Sequence, residues 1–232
     1  MSQWLLLFSL IIAGPQDPVR EWDRFIDSVR DQTIRKEEAK KQFPAIYAGI
    51  KDVCRKYPFQ RAASWVFPLQ GYGIRDMGAG GFRPDIRYGS SPVKGYDFYD
   101  GDRHGGHPAY DIFIRDRNRD TLDDATFKPV TVLAPVDLLI LSTVNHWEPG
   151  SEIRGGCHVW ALDPLQDQIF YFAHLKTVQV RAGAFIKAGS AIGTVGRTGT
   201  NAWPARSPTH LHFMVLDVRG NALTPFDYKS KF

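Results

Sequence analysis

Thr209-His210-Leu211-His212-Phe213-Met214-Val215-Leu216 is an apolar, partly β-branched run without Gly or Pro, and it reads as a strand. Successive side chains of a strand point to opposite faces, so His210 and His212 share one face and Leu211 and Phe213 the other. Two neighbouring imidazoles suit a metal ligand beside a catalytic or supporting histidine. Two histidines on a solvated sheet face would give the same pattern.

Two upstream pieces carry matching chemistry. The first is His107-Pro108-Ala109-Tyr110-Asp111. Its i, i+4 spacing would align His107 and Asp111 on a helix, but Pro108 restricts His107 to extended conformations. Gly105-Gly106 precede it, and Ile112-Phe113-Ile114 follows as a buried-strand pattern. The expectation is a loop delivering His107 and a strand that starts near Asp111. The second piece, Ala173-His174-Leu175, ends another apolar run. Together the pieces offer four histidines and one carboxylate, the residue types of a catalytic zinc site with three protein ligands and one open position. Taken singly, His107 reads as a loop histidine and Asp111 as a turn former at a strand end.

Further strands are expected at 110–114, 130–134, 136–144, 157–162, 168–174, 178–181, 191–195 and 210–217, with Gly183, Gly189, Gly193, Gly196 and Gly199 at turns. No helix-length pattern intervenes, so the fold class is mainly β, an antiparallel sheet, with a helical N-terminal segment. Three regions follow: a signal peptide over 1–14, a helical segment over 15–62 and a β domain over 63–232. In the helical segment Asp17-Pro18 is a helix start, and Val19, Trp22, Phe25, Ile26 and Val29 recur at helical spacing. A break is expected at Pro44, then a second helix through Ile46, Ile50, Val53 and Tyr57. The segment either packs on the β domain or covers its cleft as a pro-segment. Residues 71–106, rich in Gly, Asp, Arg and Tyr, read as an irregular groove wall.

Composition frames these readings. The chain has 232 residues, 43% hydrophobic, enough for one core-bearing domain and an appendage. Trp4 to Gly14 is too short to span a bilayer but suits the apolar region of a signal peptide, with cleavage near Ala13 or Gly14. Membrane contact is then transient, through that segment alone. The formal charge of +4 suits an anionic partner such as a cell-wall polymer. No basic helix, aromatic ribonucleoprotein motif or zinc finger supports nucleic acid. Cys54 and Cys157 lie too far apart in sequence for a zinc knuckle and could pair only if folding brings them together. Oligomeric state is not legible.

From about residue 104 to 228 the chain resembles the lysostaphin-type zinc endopeptidases of peptidoglycan. The resemblance rests on His107-Pro108-Ala109-Tyr110-Asp111, Tyr171-Phe172-Ala173-His174-Leu175, the Gly-rich stretch Lys187 to Gly199, and His210-Leu211-His212-Phe213, in the family's order. It implies one Zn2+ per chain held by His107, Asp111 and His212, with His174 and His210 as the catalytic pair. The implied activity is hydrolysis of peptidoglycan peptide bonds through a metal-activated water, two histidines assisting proton transfer. The implied location is exported, periplasmic or extracellular, at the cell envelope. The alternative is a non-catalytic relative that activates separate cell-wall hydrolases; such relatives lose ligands, whereas all five site residues stand here. Departures from the family pattern are Ala109 in place of Gly, an insertion from Arg115 to Lys128, and a long Pro-rich Asn201 to Pro208 segment. All three fall at the rim and bear on specificity.

The remaining histidines receive plainer readings: His104 a competing ligand of low weight, His146 exposed, His158 on a sheet face. The run Asp116-Arg117-Asn118-Arg119-Asp120 has the alternate spacing of a calcium loop, but Thr121 replaces the central Gly and Phe127 the closing Glu. A solvated acidic turn is expected there.

Overall fold

A computed structural model describes residues 17–78 and 95–232. The expected signal peptide and part of the groove wall lie outside the described residues. Among the described residues nine strands form one antiparallel sheet: β1 (Ala109–Phe113), β2 (Thr131–Leu133), β3 (Leu138–Val144), β4 (Cys157–Asp163), β5 (Gln168–Val178), β6 (Phe185–Ile186), β7 (Ala191–Val195), β8 (His210–Arg219) and β9 (Ala222–Pro225). The order is β1-β8-β5-β4-β3-β6; β9 pairs with β8, and β7 with both β5 and β2. The expected strand over 178–181 does not form, because β5 runs on to Val178 and ends there. The short β6 and β9 carry too few residues for a periodic signal.

The sheet is covered on both faces. On β8, Leu211, Phe213 and Val215 enter one core with Ile112, Phe170, Phe172 and Val159. Met214 and Leu216 enter a second core with Leu139, Leu141, Trp160 and Leu162, and this core lies under the helices. All seven residues of β4 are buried as a result.

Two helices supply that cover. In α1 (Pro18–Arg30) the Asp17 carboxylate accepts from the Val19 N–H at 3.1 Å, and Pro18 takes the first turn, where its missing N–H costs nothing. Val19, Trp22, Phe25, Ile26 and Val29 form its buried stripe. The second helix, α2 (Lys36–Cys54), does not break at Pro44. Phe43, Ile46 and Ile50 are buried on either side of the proline, which itself faces solvent. Burial of those three side chains, each worth about 1.5–3 kcal/mol, outweighs the roughly 3 kcal/mol cost of an interior proline. Among the described residues no helix is long and apolar enough to cross a membrane.

One glycine fixes how the helices meet the rest. Gly101, in the short 3-10 segment Phe98–Arg103, has φ +52°, and a Cβ there would lie 2.2 Å from the Val29 carbonyl oxygen. The segment therefore sits directly on the end of α1. Lys36, at the start of α2, ties it further through Asp97 and Asp100. Cys54 and Cys157 are both free and buried.

Candidate metal centre

The helices cover only one end of their sheet face. At the other end that face carries Asp111 from β1 and His210 and His212 from β8. Antiparallel register sets Asp111 directly opposite His212, with His212 in turn opposite Ala173 of β5. The loop before β1 brings in His107, as Pro108 and the preceding glycines predict. Asp111 Oδ1 lies 3.3 Å from His107 Nε2 and 3.2 Å from His212 Nδ1. Ligands around a tetrahedral zinc at about 2.0–2.2 Å stand roughly 3.3–3.6 Å apart, so these three atoms have the spacing of ligands around one ion. Among the described residues, His107, Asp111 and His212 are the one group of three or more His, Cys, Asp or Glu side chains so arranged.

Electrostatics favour a cation at this group. Burial pushes the Asp111 carboxyl up, but hydrogen bonds from His107 and His212 and the charge of His210 hold it well below the usual carboxylate range. Burial brings His212 down to about 4 despite the neighbouring Asp111, so its ring is neutral and has a lone pair to give. His107 is lowered by burial but raised by more through Asp111.

His174 and His210 stand beside the group, with ring centroids 5.0 Å apart, and His174 is 5.7 Å from His212. Each is held from behind. His174 Nδ1 meets the Thr198 carbonyl at 2.8 Å, and His210 Nδ1 meets the Pro208 carbonyl at 2.8 Å. A carbonyl only accepts, so both Nδ1 atoms carry hydrogen and both Nε2 atoms are left for the site. His210 Nε2 is 3.7 Å from Asp111 Oδ1. Burial, then His210 and His212, push His174 well below the ordinary histidine value, so it is a neutral proton acceptor. Its backbone has φ +63°, at a register shift where β5 leaves β4. That conformation is costly for a residue with a Cβ and is characteristic of functional positions; it turns the imidazole into the site.

The five residues border a cleft that continues toward α1, lined also by Ile26, Val29, Arg30, Phe98, Asp102, His104, Arg154, His158, Trp160 and Tyr171. Sequence reasoning did not find Thr198, Arg154 or Tyr171. The available signal was the pair Gly155-Gly156: a Cβ at Gly155 would meet the Tyr171 hydroxyl at 1.9 Å, and one at Gly156 would meet the Thr198 backbone at 2.3 Å. His158 is buried and neutral, brought down to about 4 by burial, with Nδ1 on the Gly156 carbonyl. His104 lines the cleft outside the ligand group, against Tyr96, and His146 is exposed.

The acidic loop differs from expectation. Asp116 and Asp123 are buried rather than solvated. Asp116 accepts from the N–H groups of Asp120 and Thr121 and from the Thr209 hydroxyl, and these donors fill its lone pairs as a calcium ion would otherwise.

Fold and site together define a β-sheet protein with a His/Asp/His group in a cleft that could hold a metal ion. Residues 132–225 match the model of Peptidase family M23, and the motifs of the chain resemble those of its lysostaphin-type members. No curated protein sequence matches the chain. Among solved structures, it is similar to the antimicrobial peptidase lysostaphin from Staphylococcus simulans, with 23% identity over 54% of this chain and 42% of that one, at a TM-score of 0.38. It is similar to LytU, with 17% identity over 73% of this chain and 85% of that one (TM-score 0.39). A zinc-containing peptidase from Vibrio cholerae has 17% identity over 70% of this chain and 39% of its own (TM-score 0.41). The chain thus spans less than half the length of two of these three proteins.

Proposed function

We propose that this chain is an exported zinc endopeptidase that hydrolyses peptide bonds in peptidoglycan, with 63–232 as its peptidase unit. The observation carrying the proposal is the ligand-like spacing of His107 Nε2, Asp111 Oδ1 and His212 Nδ1 beside two imidazoles pinned through Nδ1. The match to a peptidase family supports it. Retention of all five residues tells against a non-catalytic regulator.

His107, Asp111 and His212 would hold the ion. Zinc bound there supplies Lewis acidity, polarising a carbonyl and making water acidic enough to react near neutral pH. His174, pinned through Nδ1 by the Thr198 carbonyl, has Nε2 free to take the proton of the attacking water. His210, held through Nδ1 by Pro208 and close to Asp111, in its doubly protonated form points Nε2–H at the carbonyl oxygen as charge develops there.

The test is mass spectrometry of products from purified peptidoglycan incubated with zinc-loaded protein, against a chelated control. Zinc at one equivalent per chain and new peptide termini absent from the control are expected. Protein without stoichiometric zinc, or with identical product profiles, refutes the reading.

A further inference from the structure

Beyond the metal group, the cleft runs along the sheet face to α1. There Ile26, Val29 and Phe98, all buried, close it. Past them lies the second core, so this end leads nowhere.

One charged group lining this cleft has no carboxylate paired to its guanidinium among the described residues, although that of Asp102 lies within electrostatic reach. Arg30 is bonded to Asp27 and Asp31 at 2.6 and 2.7 Å. Arg154 has no ion pair among the described residues. Its Nη1 donates to the carbonyls of Asp102 and His104 at 3.1 and 3.3 Å. The neighbouring carboxylate, Asp102, is taken by the backbone N–H of Arg154 at 2.9 Å, not by the guanidinium. The Arg154 carbonyl accepts from Thr200 N–H at 3.1 Å. Backbone and Nη1 are thus both fixed, while Nε and Nη2 have no partner among the described residues. That edge is the planar pair of donors that a carboxylate takes in a bidentate fashion. Trp160 and Tyr171, with ring centroids 4.2 Å apart, line the same cleft.

We propose that Arg154 is the specificity anchor of this closed subsite and binds a carboxylate of the substrate, setting which peptide bond reaches the metal group. The proposal rests on the peptidase reading and adds a substrate class, peptides bearing a free carboxylate near the cut. A terminal carboxylate and the side-chain carboxylate of a diaminopimelate residue share this chemistry.

Three stem peptides separate the sources: one with both carboxylates free, one amidated at the C-terminus, one amidated on the diaminopimelate side chain. With the full zinc-loaded chain, amidating the recognised carboxylate is expected to lower kcat/KM at least tenfold, mainly through KM. The arm that responds names the source. In Arg154→Gln, which removes the charge and the planar donor edge, the ratio between free and amidated peptides is expected to collapse to about one, and Arg154→Lys to restore part of it. Equal cleavage of all three peptides by the unaltered chain overturns the proposal. So does a preference that survives Arg154→Gln, or a uniform loss over the three peptides, the mark of a merely structural arginine. Titration calorimetry of the same peptides on zinc-loaded His174→Ala protein supplies the second readout. If the unaltered chain cleaves nothing, the peptidase reading fails. The carboxylate anchor then stands if binding still responds to amidation through Arg154, and falls if it does not.

Discussion

Asp111 and Asp116 lie in adjacent parts of the same chain, and both are largely withdrawn from solvent, yet their surroundings are opposite. Asp111 faces ring nitrogens of His107, His210 and His212, atoms that can give a lone pair once deprotonated. Asp116 faces N–H and O–H groups of Asp120, Thr121 and Thr209, which only fill its own lone pairs. A carboxylate among nitrogen lone pairs is an incomplete cation site; one saturated by donors is a structural knot. Carboxylate spacing in sequence does not distinguish the two. Partner chemistry does.

The largest effect that would break this comparison concerns the ligands. His107→Ala or His212→Ala is expected to reduce bound zinc below a tenth of an equivalent, and to lower peptide hydrolysis by ~10³-fold or more. Elemental analysis after dialysis reads the first, product assays the second. Full zinc occupancy in either variant would dissolve the contrast between the two aspartates.

Next in size are the two pinned histidines. His174→Ala or His210→Ala should keep one equivalent of zinc and lose about 10²–10⁴-fold in rate, the usual range for a general acid or base. Loss of metal from both would mean that they are ligands and that the division of roles is wrong.

The Asp116 knot should respond in stability rather than chemistry. Asp116→Ala leaves the Thr121 N–H and Thr209 hydroxyl buried without their acceptor, at a cost of about 2–4 kcal/mol in urea unfolding with zinc content unchanged. Arg197 also donates to Thr209, at 3.0 Å, and Thr209 immediately precedes His210. A modest secondary loss of activity is therefore expected, much smaller than for His210→Ala. A loss of zinc would show that the loop is not separate from the centre.

Much of this was legible in the sequence, and the rest was hidden for physical reasons. The strand period placed His210 and His212 on one face, and Pro108 kept His107 out of a helix. The helical stripe of α1 is likewise continuous from Val19 to Val29. Pro44 misled because a local rule was outweighed by burial of Phe43, Ile46 and Ile50 in a core completed by residues far along the chain. The holders of the catalytic imidazoles were invisible because they are backbone carbonyls of Thr198 and Pro208, which any residue type supplies. Arg154 gave no signal either. Its meaning lies in missing partners, and partners are a property of the fold.

The smallest expected effect tests whether the acidic loop acts through charge at all. Burial pushes the Asp123 carboxyl up, but bonds from Tyr72, Arg115 and the N–H groups of Thr126 and Ala125 outweigh it and bring it down to about 2. An unfolded chain protonates this group near ~3.9. Because the folded value is the lower one, the group's contribution is fully present above about pH 4 and is lost as pH falls toward 2. Asp123→Asn should lower stability at pH 6 and make the fall between pH 4 and 2.5 shallower, as read from urea midpoints across that range. An unchanged acid slope would mean that Asp123 contributes only as a hydrogen-bond acceptor. The loop would then be held by the same neutral contacts at every pH, and the contrast with the charged cluster around Asp111 would be sharper still.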